Sequence, residues 1–254
     1  MTLQRLLAGI ERRLPARPLR PFFPFPLWRA LFRMWTNTIR SQPDKRRAMG
    51  QLLEIHRDAY DAVDRGAVDY GDGVHAKHRL IRYHDFFVDR VRPGEHVLDL
   101  GCGKGELAYD LAERARATVT AIDANPSMIE SARKRFPHPR VTYVAADAVA
   151  YVPPERIDVV VLSSVLGYVK PRTELLCGLR LRAGATRLLI REPVLDRDWT
   201  VPLRKEVGVP YFSDPEHEVE YDVDLLRREL AEAGWRMHEP IIRWGEIWVE
   251  ASAE

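Results

Sequence analysis

The stretch Val97-Leu98-Asp99-Leu100-Gly101-Cys102-Gly103-Lys104-Gly105 decides the fold. An apolar run that turns abruptly into alternating glycines is the pattern of a buried strand feeding a tight loop with bare backbone. Gly101 and Gly103 lack a Cβ and tolerate positive φ, so main-chain amides there can approach a ligand to hydrogen-bonding distance. A second apolar run, 119–122, ends in Asp123. That is about twenty residues past the first glycine, where nucleotide-binding βαβ units place a carboxylate for ribose hydroxyls. Past Gly105, Leu107, Leu111 and Ala115 fall on one stripe of a helix expected over 106–116.

Working outward, strands and helices alternate. A helix is expected over 126–136, starting at Asn125 and Pro126, and continuous apolar strands over 141–144 and 157–162, of the kind buried on both faces of a parallel sheet. Helix 175–181, strand 186–190 and helix 225–233 follow, with Gly234 marking the last helix end. Residues 235–251 read as an antiparallel pair closing the sheet. The pattern is α/β and doubly wound.

These residues resemble a family. Asp99-Leu100-Gly101-Cys102-Gly103-Lys104-Gly105 is similar to the first motif of class I S-adenosylmethionine-dependent methyltransferases, of the type 11-like kind. The stretch from Ala121 through Asp123, Ala124 and Met128 to Ile129 is similar to their second strand and its loop. Ala146-Asp147-Ala148 resembles the acidic turn that contacts adenine, and Ile157 to Ser164 the fourth strand with its loop. The resemblance covers residues 75–254 and implies a mostly parallel seven-stranded Rossmann-like sheet with S-adenosylmethionine as cofactor. It also implies a cofactor site made of Asp99, Gly101, Cys102, Gly103, Asp123, Ala124, Met128, Asp147, Ala148 and Ser163.

A dinucleotide-binding oxidoreductase would use the same glycines differently. Its pyrophosphate sits on a helix N-terminus after GxGxxG, whereas here the third glycine comes one residue early and Glu106 follows. A carboxylate there repels phosphate. It suits a sulfonium cation, as does Asp99.

Composition sets the frame for the rest. The 254 residues, 46% hydrophobic and 30% charged, suffice for one catalytic domain with an extension. Cys102 and Cys177, far apart and outside any ligand-spaced cluster, indicate neither a disulfide framework nor a zinc site, so a reducing cytoplasm is the expected location. Residues 1–47 hold 11 Lys/Arg and 2 Asp/Glu, a net of +9, which leaves −7 for 48–254 out of the total of +2. That basic front, 1–74, is read as a helical extension rich in proline and aromatics, preceding a methyltransferase domain over 75–254.

Pro15, Pro18, Pro21, Pro24 and Pro26 interleave with Phe22, Phe23 and Phe25, so no continuous helix runs through that part. Leu27, Trp28, Leu31, Phe32, Trp35 and Ile39 then recur at helical spacing while Arg29, Arg33 and Arg40 point elsewhere. The stripe fits packing on the protein's own body or on a second copy in a homodimer; peripheral contact of 27–40 with an anionic membrane surface is the alternative. No run is long enough to span a membrane, and the arginines and prolines do not make a signal-peptide core. A further helix is expected over 44–64, then an irregular loop over 66–73.

Residues 74–87 pack three histidines and three cations just ahead of the first strand. Family members use this region to close over the methionine end of the cofactor, whose carboxylate needs a cation. Arg79 is the first choice because a guanidinium grips carboxylates in bidentate fashion, with His78 and Tyr83 on a neighbouring face of the same helix.

Substrate chemistry gathers at the carboxyl ends of such strands. The insert 191–221 reads as a lid, and within it His217, flanked by Asp214, Glu218 and Glu220, is the candidate general base, with Asp214 orienting its ring. Asp214, His217 and Glu218 could instead hold a divalent ion, a spacing too weak to assign any metal. The preferred function is O-methylation of a small-molecule, glycan or lipid-linked acceptor. Two rivals stand beside it: a noncatalytic cofactor-binding partner subunit, and a nucleic-acid methyltransferase using the basic arm. The net charge of −7 on 48–254, and Ser163-Ser164-Val165-Leu166 in place of the Asn/Asp-Pro-Pro-aromatic element of base-amine enzymes, argue against nucleic acid.

Overall fold

The computed structural model describes residues 25–71, 74–195, 199–211 and 217–254. They form nine α-helices, one 3-10 turn and eight strands among the described residues. Two compact units are present, one of residues up to His56 together with Val207–Val209, the other of Arg57–Glu206 with Pro210–Glu254.

The first unit holds α1 (Phe25–Arg40) and the start of α2 (Lys45–Tyr70). Pro26 lies in the first turn of α1, where its missing N–H breaks no helical bond. No described helix is long and apolar enough to cross a membrane.

In the second unit the sheet runs β3-β2-β1-β4-β5-β8-β6, with β7 added on β8. Strands β1 (His96–Leu100), β2 (Thr118–Asp123), β3 (Val141–Ala145), β4 (Val159–Ser163) and β5 (Arg187–Pro193) are parallel. Strand β8 (Glu246–Ala253) pairs antiparallel with β5, β6 (Trp235–Met237) and β7 (Ile241–Arg243). The closing element is therefore three strands, not a pair, and the sheet has eight strands where seven were expected. The eighth is a three-residue strand whose side chains are all exposed, so it leaves no buried pattern to read.

The apolar runs alternate between two cores. Leu98, Leu100, Val160 and Leu162 face a layer of α7 (Arg172–Leu181) and α9 (Val223–Glu232), whose Leu175, Leu176, Leu226 and Leu230 are fully buried. Trp235 fills the same layer, its indole donating to Leu176 O at 2.9 Å. Val97, Val119, Val159 and Val161 face the other layer, made by α4 (His84–Val88), α5 (Glu106–Glu113) and α6 (Pro126–Arg135) with Phe87, Leu107, Leu111 and Ile129. Burial on both faces is why β4 is an unbroken run of Val159-Val160-Val161-Leu162.

Two local expectations change. Helix α2 does not stop at 64: it passes through Gly66 to Tyr70 and is held there by Ala76 N–H donating to Ala67 O at 3.1 Å. Residues 74–87 are not one helix. A four-residue α3 (Lys77–Leu80) and α4 are separated by a turn in which Arg82 takes φ 48°, a left-handed conformation that no continuing helix contains. The remaining helix of the insert is α8 (Thr200–Val207).

Candidate functional site

The glycine loop is fixed from below by β2. The amides of Gly101 and Cys102 both donate to Ile122 O, at 2.8 and 2.9 Å, and Gly103 N donates to Asp123 Oδ2 at 2.9 Å. Gly101 has φ 74°, and a Cβ there would fall 2.6 Å from Val165 Cγ2, so the loop closes only with glycine. Gly103 differs: it has φ 54° and open space within 4 Å of where its Cβ would stand, leaving its backbone bare toward the cleft.

Two adjoining clefts meet at Gly101 on the carboxyl edge of β1, β2 and β4. The first, about 450 Å³, is lined by Leu100, Asp123, Ala124, Asp147, Ala148 and Tyr168, among others. Asp123 Oδ1 accepts from Asn125 N at 2.8 Å, so both its oxygens are braced by backbone amides while its carboxylate edges the cavity. Asp147 Oδ1 accepts from Val149 N and Ala150 N, each at 2.9 Å, and so holds its turn in the same way.

The second cleft, about 330 Å³, is lined by Tyr83, Asp99, Cys102, Gly103, Met128 and Ser163, together with His75, His78 and Glu106. Both volumes suit small-molecule sites. Asp99 is 2% exposed and its Oδ2 has no hydrogen-bond partner. Burial, then the carboxylates of Asp123 and Glu106, raise its pKa to about 7. An uncompensated buried carboxylate beside two others is a ready seat for a cationic group. Burial, followed by the Asp99 and Asp123 charges, also pushes the Cys102 thiol up, which keeps it neutral.

The far wall of this cleft is built from remote segments. Tyr83 Oη and His78 Nε2 are hydrogen-bonded at 3.0 Å. Burial holds the His78 pKa down to about 3, with His84, Lys77, His75 and Arg191 adding to the effect, so the ring is neutral. Burial raises the Tyr83 pKa, so its hydroxyl keeps its proton. Behind Tyr83, the Arg191 guanidinium lies 4.3 Å from the ring centroid and donates to Ser164 Oγ at 2.9 Å, to Ser163 Oγ at 3.3 Å and, through Nε, to Glu246 Oε2 at 2.7 Å. The next residue, Glu192, is 1% exposed, and its Oε1 accepts from Val165 N and Leu166 N at 2.7 and 2.8 Å, which shapes the loop after β4.

The residues expected from the sequence divide clearly. Tyr83, Asp99, Gly101, Cys102, Gly103, Met128 and Ser163 line the second cleft, and Gly101, Asp123, Ala124, Asp147 and Ala148 the first. Arg79 does not join them: it is exposed on α3 and lines neither cleft, standing about 100° around that helix from His78, the residue that meets Tyr83. His217 also lines neither cleft. Its ring packs on Gly167, whose Cβ would fall 2.5 Å from Nε2, and stands edge-on to Tyr168 at 5.0 Å. Asp214 lies outside the described residues. The sequence reading did not find Arg191, Glu192 or the His75–Asp64 contact at 3.0 Å. A usable signal existed for the first two: a charged pair directly after the apolar Leu188-Leu189-Ile190 marks the carboxyl edge of a strand.

Residues 97–180 match a family described as a methyltransferase domain. Ribosomal protein L11 methyltransferase of Burkholderia ambifaria is 36% identical over 124 residues, 44% of this chain and 39% of that protein. Trans-aconitate 2-methyltransferase of Methylobacterium radiotolerans is 33% identical over 107 residues, 37% of this chain and 40% of that protein. The chain thus spans about two-fifths of the length of these relatives. A TehB-like SAM-dependent methyltransferase from Corynebacterium glutamicum shares the fold at TM-score 0.51 and 17% identity, with 79% of this chain and 100% of that one covered.

Proposed function

We propose that the class I S-adenosylmethionine-dependent methyltransferase domain carried by this chain transfers a methyl group to the oxygen of a small-molecule, glycan or lipid-linked acceptor. The observation that carries the reading is the pair of clefts meeting at Gly101, one edged by Asp123 and Asp147, the other floored by Asp99 and walled by Tyr83 and His78.

The residues suit the cofactor. Bare backbone at Gly103 would admit it, with Asp123 to hold its ribose diol, Asp147 its adenine and the unpartnered Asp99 oxygen its ammonium group. Bound there, S-adenosylmethionine supplies an electrophilic methyl group on a sulfonium. The surrounding carboxylates favour that cation over a dinucleotide.

Alignment is the chain's main contribution, since bringing an acceptor oxygen into line with the methyl group supplies much of the rate. Tyr83 Oη and Ser163 Oγ offer hydrogen bonds to that oxygen, and Arg191 holds both in place. An alcohol acceptor must also lose a proton. His75 has both ring nitrogens engaged, Nδ1 with Lys77 N and Nε2 with Asp64, and His78, its pKa held down to about 3 by burial and its Nε2 engaged with Tyr83, is a weak proton acceptor. Proton removal is proposed for His217, whose ring stands 5.0 Å from Tyr168, a residue of the first cleft's lining.

A protein acceptor is the second reading, favoured by the relatives named for ribosomal protein L11. The trans-aconitate relative supports a small molecule. The two separate experimentally. The purified chain is incubated with methyl-labelled S-adenosylmethionine and small-molecule, lipid, glycan, protein and nucleic-acid fractions of a cell extract. Label in one of the first three, lost in Asp123→Ala, is expected; label confined to protein or nucleic acid overturns the proposal.

A further inference from the structure

A third cleft, about 300 Å³, adjoins the second across His78 and Glu106, which line both. His84 of α4, Tyr109 and Asp110 of α5, and Phe136 at the end of α6 also line it. His84 is 6% exposed, and its Nδ1 lies 2.8 Å from Asp110 Oδ2. Burial pushes the Asp110 carboxyl up, but its contacts with His84 and Arg114 outweigh that and hold it below the usual carboxylate range. An ionised carboxylate only accepts, so Nδ1 carries a proton, and in the neutral ring Nε2 is then a bare lone pair. That nitrogen is buried and has no hydrogen-bond partner among the described residues. The neighbouring rings supply none: His78 and Tyr83 stand edge-on to His84 at 4.6 and 4.5 Å and are bonded to each other. A buried acceptor without a donor opposes folding, and one that lines a cleft points to a ligand's donor.

Charge and shape narrow the ligand. Asp85 pairs with Arg82 at 2.9 Å and also with Arg114, Asp110 with Arg114 at 3.3 Å, and Glu106 with Arg135 at 3.7 Å. Each carboxylate and guanidinium lining the cleft is thus matched, and no net charge is left to favour an ion. What is left is one acceptor nitrogen beside the tilted rings of Tyr109 and Phe136, whose centroids are 5.7 Å apart. An uncharged aromatic ring bearing a hydroxyl suits both, with the ring packed on those side chains and the hydroxyl donating to Nε2. A sugar would bring several hydroxyls to a cleft whose carboxylates are already engaged, and most would lose their hydration without gaining a partner.

We propose that the third cleft seats the far end of a phenolic acceptor, whose non-reacting hydroxyl donates to His84 Nε2 while Asp110 positions that ring. The proposal rests on the small-molecule reading above and narrows its acceptor class. The full chain with 15N-labelled histidine is titrated with phenol, with anisole, which has no hydroxyl to donate, and with methyl glucopyranoside. Phenol is expected to move the His84 Nε2 resonance and to bind about ten-fold or more tightly than anisole, the worth of a buried hydrogen bond. His84→Asn sets an amide where Nδ1 stood, so it keeps a donor for Asp110 and removes the acceptor. That variant is expected to bind phenol and anisole alike and to keep the S-adenosylmethionine heat of binding, which reports an intact fold. Tyr109→Leu is expected to weaken both ligands together. An unmoved His84 resonance, equal affinity of the parent chain for phenol and anisole, or methyl glucopyranoside held at His84 as tightly as phenol would overturn the inference. The titrations omit the cofactor, so they decide the ligand of this cleft whether or not the labelling experiment returns a small-molecule acceptor.

Discussion

Replacing Asp99 by Asn should stabilise the ligand-free protein above neutral pH while weakening its hold on the cofactor. Asp99 is 2% exposed with an unpartnered Oδ2, and its pKa rises from 3.8 to about 7, chiefly through burial and then through Asp123 and Glu106. Between those two values the folded chain holds a proton that the unfolded chain has released. Stability therefore falls as pH climbs from 3.8 through about 7 and is flat above. At roughly 1.4 kcal/mol per pH unit, the gap corresponds to about 4 kcal/mol, which an asparagine of the same shape does not carry. For a chain of this length that is a Tm gain on the order of 10 °C at mildly alkaline pH, shrinking toward zero as the pH approaches 3.8. Glu192, raised to about 7 by burial, stays in both proteins and leaves each a residual slope of the same sign. Calorimetry of S-adenosylmethionine binding should show a loss of about ten- to a hundred-fold, the worth of one hydrogen bond between charged groups at ~1.5–3 kcal/mol. Tm-versus-pH curves that run parallel for the two proteins would refute the reasoning, as would unchanged cofactor affinity.

Gly101→Ala places a methyl group 2.6 Å from Val165 Cγ2 at φ 74°, so thermal unfolding should report a loss of about 1–3 kcal/mol and calorimetry a cofactor affinity at least ten-fold weaker. Arg191→Lys keeps the charge but loses the planar contact with Tyr83 and the fork to Glu246; denaturant unfolding should show about 2–4 kcal/mol lost, and KM should rise for the acceptor more than for the cofactor. His217→Gln should lower kcat by roughly 10²- to 10⁴-fold in a methyl-transfer assay, with cofactor affinity retained. If His78→Gln produces that loss instead, the base has been misassigned.

What the sequence discloses about this site is what local spacing governs. Gly101, Gly103 and Asp123 are held by contacts that follow directly from a strand, a turn and the next strand, so their spacing alone locates the glycine-loop side of the clefts. The opposite wall of the second cleft depends on chain reversals. Arg79 and Tyr83 share a helical pattern on paper, but the left-handed turn at Arg82, which no glycine or proline announces, breaks that pattern, and it is His78 that meets Tyr83. Gly66 reads as a helix breaker, yet its cost of about 1 kcal/mol is overridden by the contacts that hold the end of α2. Arg191 takes its meaning from Tyr83 and Glu246, partners too distant in sequence for any periodicity to connect.

The wall shared by Tyr83, Arg191 and Glu246 also bears on retargeting the protein by segment exchange. Grafting the 74–88 stretch of a methyltransferase of this fold would replace Tyr83 while leaving behind the guanidinium that supports it. Such a chimaera is expected to recognise its nucleoside donor and turn over poorly, until residues 191 and 246 travel with the transplant. The exchangeable module here is discontinuous, and libraries diversified across all three positions together should outperform those confined to one loop.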